Sequence, residues 1–396
     1  MSEQQATRYG YITEEAVEKF RSRMFQPEPI REPFVRYVNG DSITHSARAI
    51  GDANPLWIDE EHGRQSRYGR NIAPPALYYA VTWGSWDMRR GEGLPGVHGL
   101  HAYDDWTYYR PLYDGDKVNA IKQWTGLDER TGAYAGRSLM QRREFQYFNQ
   151  HGQLVAKCEM ASVRAERHKG KETGKYARIE RARYTPEDIR KIDDEIRAEV
   201  VRGATPRYWE DTEVGAPVTP IVRGPLQVAD MIAWMMGTGS PHVRSGQYWL
   251  KYRERHPKIA IPDPHTGVPQ AIERVHWDEF MASEIGMPGP YDYGSQRGAW
   301  ATHLITNWAG DDAWVARVYA RFRGMNFIGD TLWISGAVTK KWRGAKTGIG
   351  YVECSIHGIN QRGDDIMPGS AVVALPSRGQ PLPDFPIDHE ADTPNE

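Results

Sequence analysis

Arg110-Pro111-Leu112-Tyr113-Asp114-Gly115-Asp116 returns later in the chain, in altered form, as Met325-Asn326-Phe327-Ile328-Gly329-Asp330. A Gly-Asp turn by itself is ordinary turn chemistry. Its surroundings recur as well. Trp57-Ile58-Asp59 precedes the first stretch and His276-Trp277-Asp278 precedes the second. Asn149-Gln150-His151-Gly152 follows the first and Asn360-Gln361-Arg362-Gly363 follows the second. Trp57 lies 59 residues before Asp116 and His276 lies 54 before Asp330; the next intervals, to Gly152 and Gly363, are 36 and 33. Three landmarks in one order at near-equal spacing read as a duplicated domain.

Outward from these landmarks, both copies share one texture. Gly/Pro punctuation leads into an apolar helix, predicted at Ala76–Trp86 in the first copy and Gly298–Ala309 in the second. Strand-like stretches follow: 117–124, 137–148 and 154–164, then 316–322, 331–342, 350–359 and 372–375, with alternation clearest in Val352-Glu353-Cys354-Ser355-Ile356. One helix followed by consecutive antiparallel strands is an α+β unit. Between the copies, Lys/Gly-rich residues 168–175 read as a solvated linker. Thr185-Pro186-Glu187-Asp188 then opens a helix to Val201, with Gly203 as its stop. The division is 1–34, a helical extension; 35–167, the first unit; 168–205, linker and helix; 206–377, the second unit with an insertion at 242–275; and 378–396, a Pro/Asp-rich tail that reads as disordered.

Composition removes several function classes. Fifty Lys+Arg against 52 Asp+Glu in 396 residues give a formal charge of −2, so no electrostatic reason points to nucleic acid or an anionic membrane. No apolar run approaches the roughly 18–20 residues of a spanning helix. The opening MSEQQATRYGYITEE lacks a secretory pattern, so a cytoplasmic protein is expected. Two cysteines, Cys158 and Cys354, make no disulfide framework, and no His/Cys cluster has metal-ligand spacing, so no metal and no resident cofactor are expected. Aromatic residues, 14 of them Trp, make up 11% of the chain and suit either broad sheet cores or the walls of a ligand groove.

Arg48-Ala49-Ile50-Gly51-Asp52-Ala53-Asn54-Pro55-Leu56-Trp57-Ile58-Asp59 resembles the Gly-Asp-x-Asn-Pro-x-His-x-Asp motif of the MaoC-like family, the R-specific enoyl-CoA hydratases and dehydratases. Residues 68–75 resemble its glycine-rich approach to a central helix. In the second copy His276-Trp277-Asp278 with Ala282 is similar to the His-x-Asp…Ala portion, and Tyr291-Asp292-Tyr293-Gly294 stands where the family starts its helix. The resemblance spans about residues 35–375. It implies a hot-dog fold, a helix wrapped by an antiparallel sheet, here doubled into an intramolecular pseudo-dimer. It also implies an acyl-CoA substrate, with coenzyme A present only as part of it.

Hydration of a 2,3-enoyl thioester needs a base for water, a proton for C2 and a donor for the charge developing on the thioester oxygen. In the first copy Asp52 survives, but Trp57 replaces the histidine, and Pro74 and Pro75 have no N–H to offer an oxyanion. That copy is expected to shape the acyl site, with Trp57 in its wall. The second copy keeps His276 as base and Gly294 as the N–H donor, but Thr238 replaces the aspartate of its Gly-Asp-x-Asn-Pro counterpart. Three carboxylates compete for the vacancy: Asp292, Asp278, and Asp52 reaching across the pseudo-dimer. Tyr291, Tyr293, Trp277, Thr238 and Arg297 complete the expected substrate site. The insertion, carrying Arg244, Tyr248, Trp249, Tyr252, Arg253 and Arg255, reads as a lid or an elaborated surface. His303 on the central helix faces either core or groove. Lys340, Lys341, Arg343 and Lys346 suit either coenzyme phosphates or a solvated turn. A hydro-lyase is the leading reading; a hot-dog thioesterase and a non-catalytic acyl-binding or partner subunit stay open. So do pairing with a second copy and pairing with a different chain.

Overall fold

The computed structural model describes residues 10–85, 94, 96–132, 136–166 and 179–393. The linker expected at 168–175 and the end of the first predicted helix lie outside them. Twelve strands are described: β1 Glu28–Pro29, β2 Val97–Tyr108, β3 Asn119–Gly132, β4 Gly136–Phe148, β5 Leu154–Glu166, β6 Pro217–Arg223, β7 Ala260–Pro262, β8 Pro269–Ala271, β9 Trp314–Arg321, β10 Leu332–Arg343, β11 Gly350–Asn360 and β12 Gly369–Leu375. Ten form one sheet in the order β1-β3-β4-β5-β2-β9-β12-β11-β10-β6, while β7 and β8 pair as a hairpin.

That order is a palindrome of the two copies. β2 and β9 are equivalent and lie antiparallel at the centre, with Asp104 opposite Ala320 and Trp106 opposite Val318. Each copy wraps half the sheet around its own central helix, Leu77–Thr82 in the first and Gly294–Ala309 in the second. One apolar core spans both, joining Tyr78, Trp106 and Tyr147 to Trp300, Trp308 and Val318. The architecture is a double hot-dog of α+β class.

Local chemistry explains the elements. β9 alternates inward Ala316, Val318 and Ala320 with outward Arg317 and Tyr319. The second central helix is buried nearly all round, which its small residues permit. A Cβ on Gly298 would lie 2.9 Å from the Asp104 carboxylate. The helix starts four residues before the expected position, with Tyr293 as N-cap. The helix opened by Thr185 has the expected capping box and proline but ends at Arg197, short of Val201, and packs against the second copy's edge, where Glu195 accepts from the Trp333 indole at 2.6 Å.

The tail needs correction. Residues 378–393 are ordered against the body. Ile387 is buried, and its N–H donates to the Tyr109 carbonyl at 3.0 Å. Phe385 packs edge-on against Trp314 at 4.7 Å. The Asp392 carboxylate accepts the N–H groups of Lys346 (2.8 Å) and Thr347 (3.1 Å) and the Thr347 hydroxyl. Composition suggested disorder because prolines and acids dominate it, but Leu382, Phe385 and Ile387 are enough to pin it. Asp392→Ala strands three donors of the β10–β11 turn, and we expect a loss of about 1–3 kcal/mol in urea unfolding; an unchanged midpoint would show that water replaces the carboxylate.

Candidate active site

A cleft of about 1380 Å³ opens between the copies, walled by β2 and β5 of the first, by the start of the second central helix, and by the insertion. The insertion forms a wall through Arg244, Tyr252 and Arg255; Tyr248, Trp249 and Arg253 are not among its lining residues. It ends in a 3-10 turn, Ile272–His276, that brings two groups to the cleft.

The first is His276. Its Nδ1 lies 2.8 Å from the Tyr291 carbonyl oxygen. A carbonyl can only accept, so Nδ1 carries the proton and Nε2 keeps the lone pair. The ring stacks on Tyr293, with centroids 3.8 Å apart. Burial pushes its pKa down to about 4, outweighing the Tyr291 and Asp292 carbonyls that favour the protonated ring, so the imidazole is neutral near pH 7.

The second is Glu273, which sequence reading missed. Side chains three apart on a 3-10 turn eclipse one another, so Glu273 and His276 project to one side. Oε1 of Glu273 accepts from the Tyr293 hydroxyl at 2.8 Å and Oε2 from the Ser240 hydroxyl. The Ser240 oxygen is itself occupied by the N–H groups of His242 and Val243, each at 3.0 Å, which leaves its proton for Glu273. Burial pushes this carboxyl up to about 7 despite both hydroxyl donors. Ser240 stands at the asparagine of the Gly-Asp-x-Asn-Pro counterpart. The carboxylate absent at Thr238 therefore reaches the same segment from the end of the insertion. The Glu-x-x-His spacing was its signal in the sequence.

Gly294 begins a 16-residue helix whose N-terminus no side chain caps, and Gly294 and Ser295 line the cleft, so the positive end of the helix dipole borders it. A Cβ here would lie 2.7 Å from Cβ of His101, so only glycine permits this approach. His101, on β2, is an unforeseen imidazole lining the cleft, as are His98, His242 and His256.

The other expected residues divide. Tyr291 and Tyr293 line the cleft. Asp292 also borders it, but its Oδ2 is held by Arg297 Nε at 3.1 Å and by the Asn326 amide at 3.2 Å. Arg297 also donates to the Gly324 carbonyl at 2.9 Å, so this buried pair braces the helix start through Oδ2, while Oδ1 of Asp292 has no hydrogen-bond partner among the described residues. Thr238 is wholly buried and donates to the Trp234 carbonyl at 2.8 Å. Trp277 does not line the cleft. Asp278 caps the helix Glu279–Glu284 by accepting from Met281 N–H at 2.8 Å and pairs with Arg274.

Asp52 does reach across the pseudo-dimer, but to His303, not His276. Its carboxylate accepts the Asn54 N–H at 3.0 Å and the Trp57 indole N–H at 2.9 Å, and lies 3.5 Å from His303 Nε2. Arg223 donates to His303 Nδ1 at 2.7 Å. Burial pushes Asp52 up to about 6 and His303 well down. None of Asp52, Trp57 and His303 lines the large cleft. Trp57 instead borders a separate cavity of about 50 Å³ with Thr306 and Trp314. The indole thus replaces a histidine as a donor to the motif aspartate, not as a groove wall. Lys340, Lys341 and Arg343 stand at the far end of β10, stacked on Trp209 or paired with Glu210 and Glu353.

The cleft carries its own positive field. Eleven Lys and Arg side chains line it against four carboxylates, in a chain of net charge −2, so it favours an anionic ligand. Among the described residues no group of His, Cys, Asp and Glu could hold a metal ion, and no helix is long and apolar enough to cross a membrane.

The fold is that of a double hot-dog protein with a cleft between its two copies. Residues 27–158 match the family model described as FAS1-like, dehydratase domain region. A UPF0336 protein of Streptomyces avermitilis is 30% identical over 100 residues, 23% of this chain and 67% of that protein. One from Streptomyces griseus is 28% identical over 120 residues, 28% of this chain and 77% of its own. Among solved structures, a MaoC-like dehydratase superposes with TM-score 0.58 at 15% identity, covering 90% of this chain and 99% of its own. A putative MaoC domain protein dehydratase from Chloroflexus aurantiacus gives 0.56 at 14% identity, covering 90% and 96%. The chain belongs to the MaoC-like dehydratase family. The family model lies over the first copy, whereas His276 and Glu273 belong to the second.

Proposed function

We propose that the protein adds water to, or removes it from, the 2,3 double bond of an acyl-CoA thioester bound in the large cleft. One observation carries this reading: a neutral imidazole with Nε2 unprotonated, a carboxyl three residues before it and an uncapped helix N-terminus all border one cavity. In the hydration direction, Nε2 of His276 takes a proton from water as its oxygen bonds to C3. The double-bond pair moves onto C2 and the thioester, and the charge on the thioester oxygen is met by the Gly294 N–H. Glu273 holds the water from its other side and fixes Tyr293, on which the His276 ring rests. The cationic lining suits the phosphates of coenzyme A.

The test is incubation of the purified protein with enoyl-CoA thioesters of several chain lengths, following loss of the conjugated-thioester absorbance. Loss without free thiol is expected. Thiol release in its place would turn the reading to a thioesterase, and tight binding with no turnover would turn it to an acyl-binding partner subunit. Glu273→Gln keeps the shape but not the charge, and we expect it to lower kcat about 100-fold; full activity would remove Glu273 from the mechanism.

A further inference from the structure

Hydration also needs a proton at C2, and His276 has just received one on the C3 side. We propose that His101, from the first copy, is the acid–base group that delivers the C2 proton and removes it in the reverse direction, with Asp104 as its positioning residue. The inference rests on the hydratase reading above.

His101 lines the cleft and lies against Gly294, whose N–H faces the thioester oxygen in that reading. C2 is bonded to the carbonyl carbon, so a group seated beside the oxyanion donor stands beside C2 as well. The ring is held from behind. Nε2 of His101 is 2.5 Å from Asp104 Oδ1, and the Asp104 carboxylate is fully buried. Oδ2 of Asp104 accepts from the Tyr79 hydroxyl at 2.6 Å, and that oxygen accepts from the Trp106 indole at 3.1 Å. With Asp104 accepting on both oxygens, Nε2 carries a proton and Nδ1 is the working nitrogen; among the described residues no hydrogen bond is made to it. Phe322 packs edge-on against the ring at 4.9 Å and fixes its plane. Such a buried carboxylate, hydrogen-bonded imidazole and exposed second nitrogen is the arrangement that orients a general acid–base histidine.

The steps balance. In dehydration, Nδ1 of neutral His101 bonds to the C2 proton, and the C2–H pair becomes the enolate held at Gly294. The enolate pair then forms the double bond as the C3–O bond breaks. The departing oxygen takes the proton of a protonated His276 and leaves as water. Hydration runs the same steps backwards, and solvent returns the proton from one histidine to the other.

The two bases separate by isotope exchange in D2O. A saturated acyl-CoA has no leaving group at C3, so only C2–H exchange can be seen with it, by mass spectrometry or NMR. The full-length wild-type protein is expected to exchange C2–H. His276→Asn should lose hydration of the enoyl-CoA but keep C2–H exchange. His101→Gln should lose both, by about 100-fold, with its thermal unfolding midpoint kept. Asp104→Asn should lower kcat with KM unchanged, a split that a merely structural role would not produce. Wild-type hydration with His101→Gln retaining C2–H exchange would overturn the assignment and leave the hydratase reading standing. Absence of any wild-type turnover or exchange would remove both.

Discussion

His276→Asn should slow hydration of an enoyl thioester by about 10⁴-fold, the upper end of what one positioned acid–base group contributes. Asparagine can still offer an N–H to the Tyr291 carbonyl, so the local fold survives while the lone pair at Nε2 is gone. KM should change little, because the ring rests on Tyr293 and does not form the cationic walls that hold the coenzyme. The pH profile gives a second handle. Burial leaves the ring neutral down to about 4, so the working base form persists above that pH and is lost only as pH falls through it. Glu273 keeps its charge only above about 7, so the two titrations separate in Glu273→Gln, whose remaining acid limb of kcat/KM should lie near 4 in place of the ordinary histidine value of about 6.5. A Glu273→Gln limb near 6.5 would mean that water reaches the ring freely; a limb near 4 that persists in His276→Asn would assign the titration to another group. Retention of more than about a tenth of the rate by His276→Asn would remove the imidazole from the reaction.

Duplication, fold class and most strands were legible because both copies write the same turn chemistry at the same intervals, and because β9 and β11 alternate cleanly. Strand β2 was not. Its sequence, Val97-His98-Gly99-Leu100-His101-Ala102-Tyr103-Asp104-Asp105-Trp106-Thr107-Tyr108, carries two histidines, a glycine and two aspartates. Asp104 nonetheless points inward, where the Tyr79 hydroxyl and His101 satisfy it. Polarity hid the strand, and with the strand went His101. Glu273 was hidden differently, inside a segment treated as one insertion, though its spacing to His276 was visible. Asp292 borders the cleft as its place beside Gly294 suggests, but proximity in sequence does not say which way a carboxylate turns, and Arg297 holds one of its two oxygens. Asp52 and Trp57 kept the family's pattern of a carboxylate with a nearby donor, but as a buried brace.

Gly294→Ala should cost about 10³-fold in kcat, the upper end for loss of one oxyanion donor. The added methyl would sit 2.7 Å from Cβ and 2.9 Å from Cγ of His101, closer than real side-chain carbons approach. His101 cannot swing clear without breaking its 2.5 Å bond to the buried Asp104. Arg297 and Asp292 brace the helix start on the other side. Either the first turn of the helix withdraws, taking its N–H away from the thioester oxygen, or the imidazole is displaced from C2; both outcomes fall on kcat. Overpacking should also lower stability by about 1–3 kcal/mol. Gly237→Ala separates the two effects. Its methyl would run into Ala49 Cβ and meet the His45 carbonyl oxygen at 2.7 Å, an overlap more severe than that at Gly294, but Gly237 does not line the cleft. That variant should lose at least as much stability and keep its kcat. Equal kcat losses in the two alanine variants would make the Gly294 effect one of packing and would withdraw the helix N-terminus as the site where the thioester charge is held.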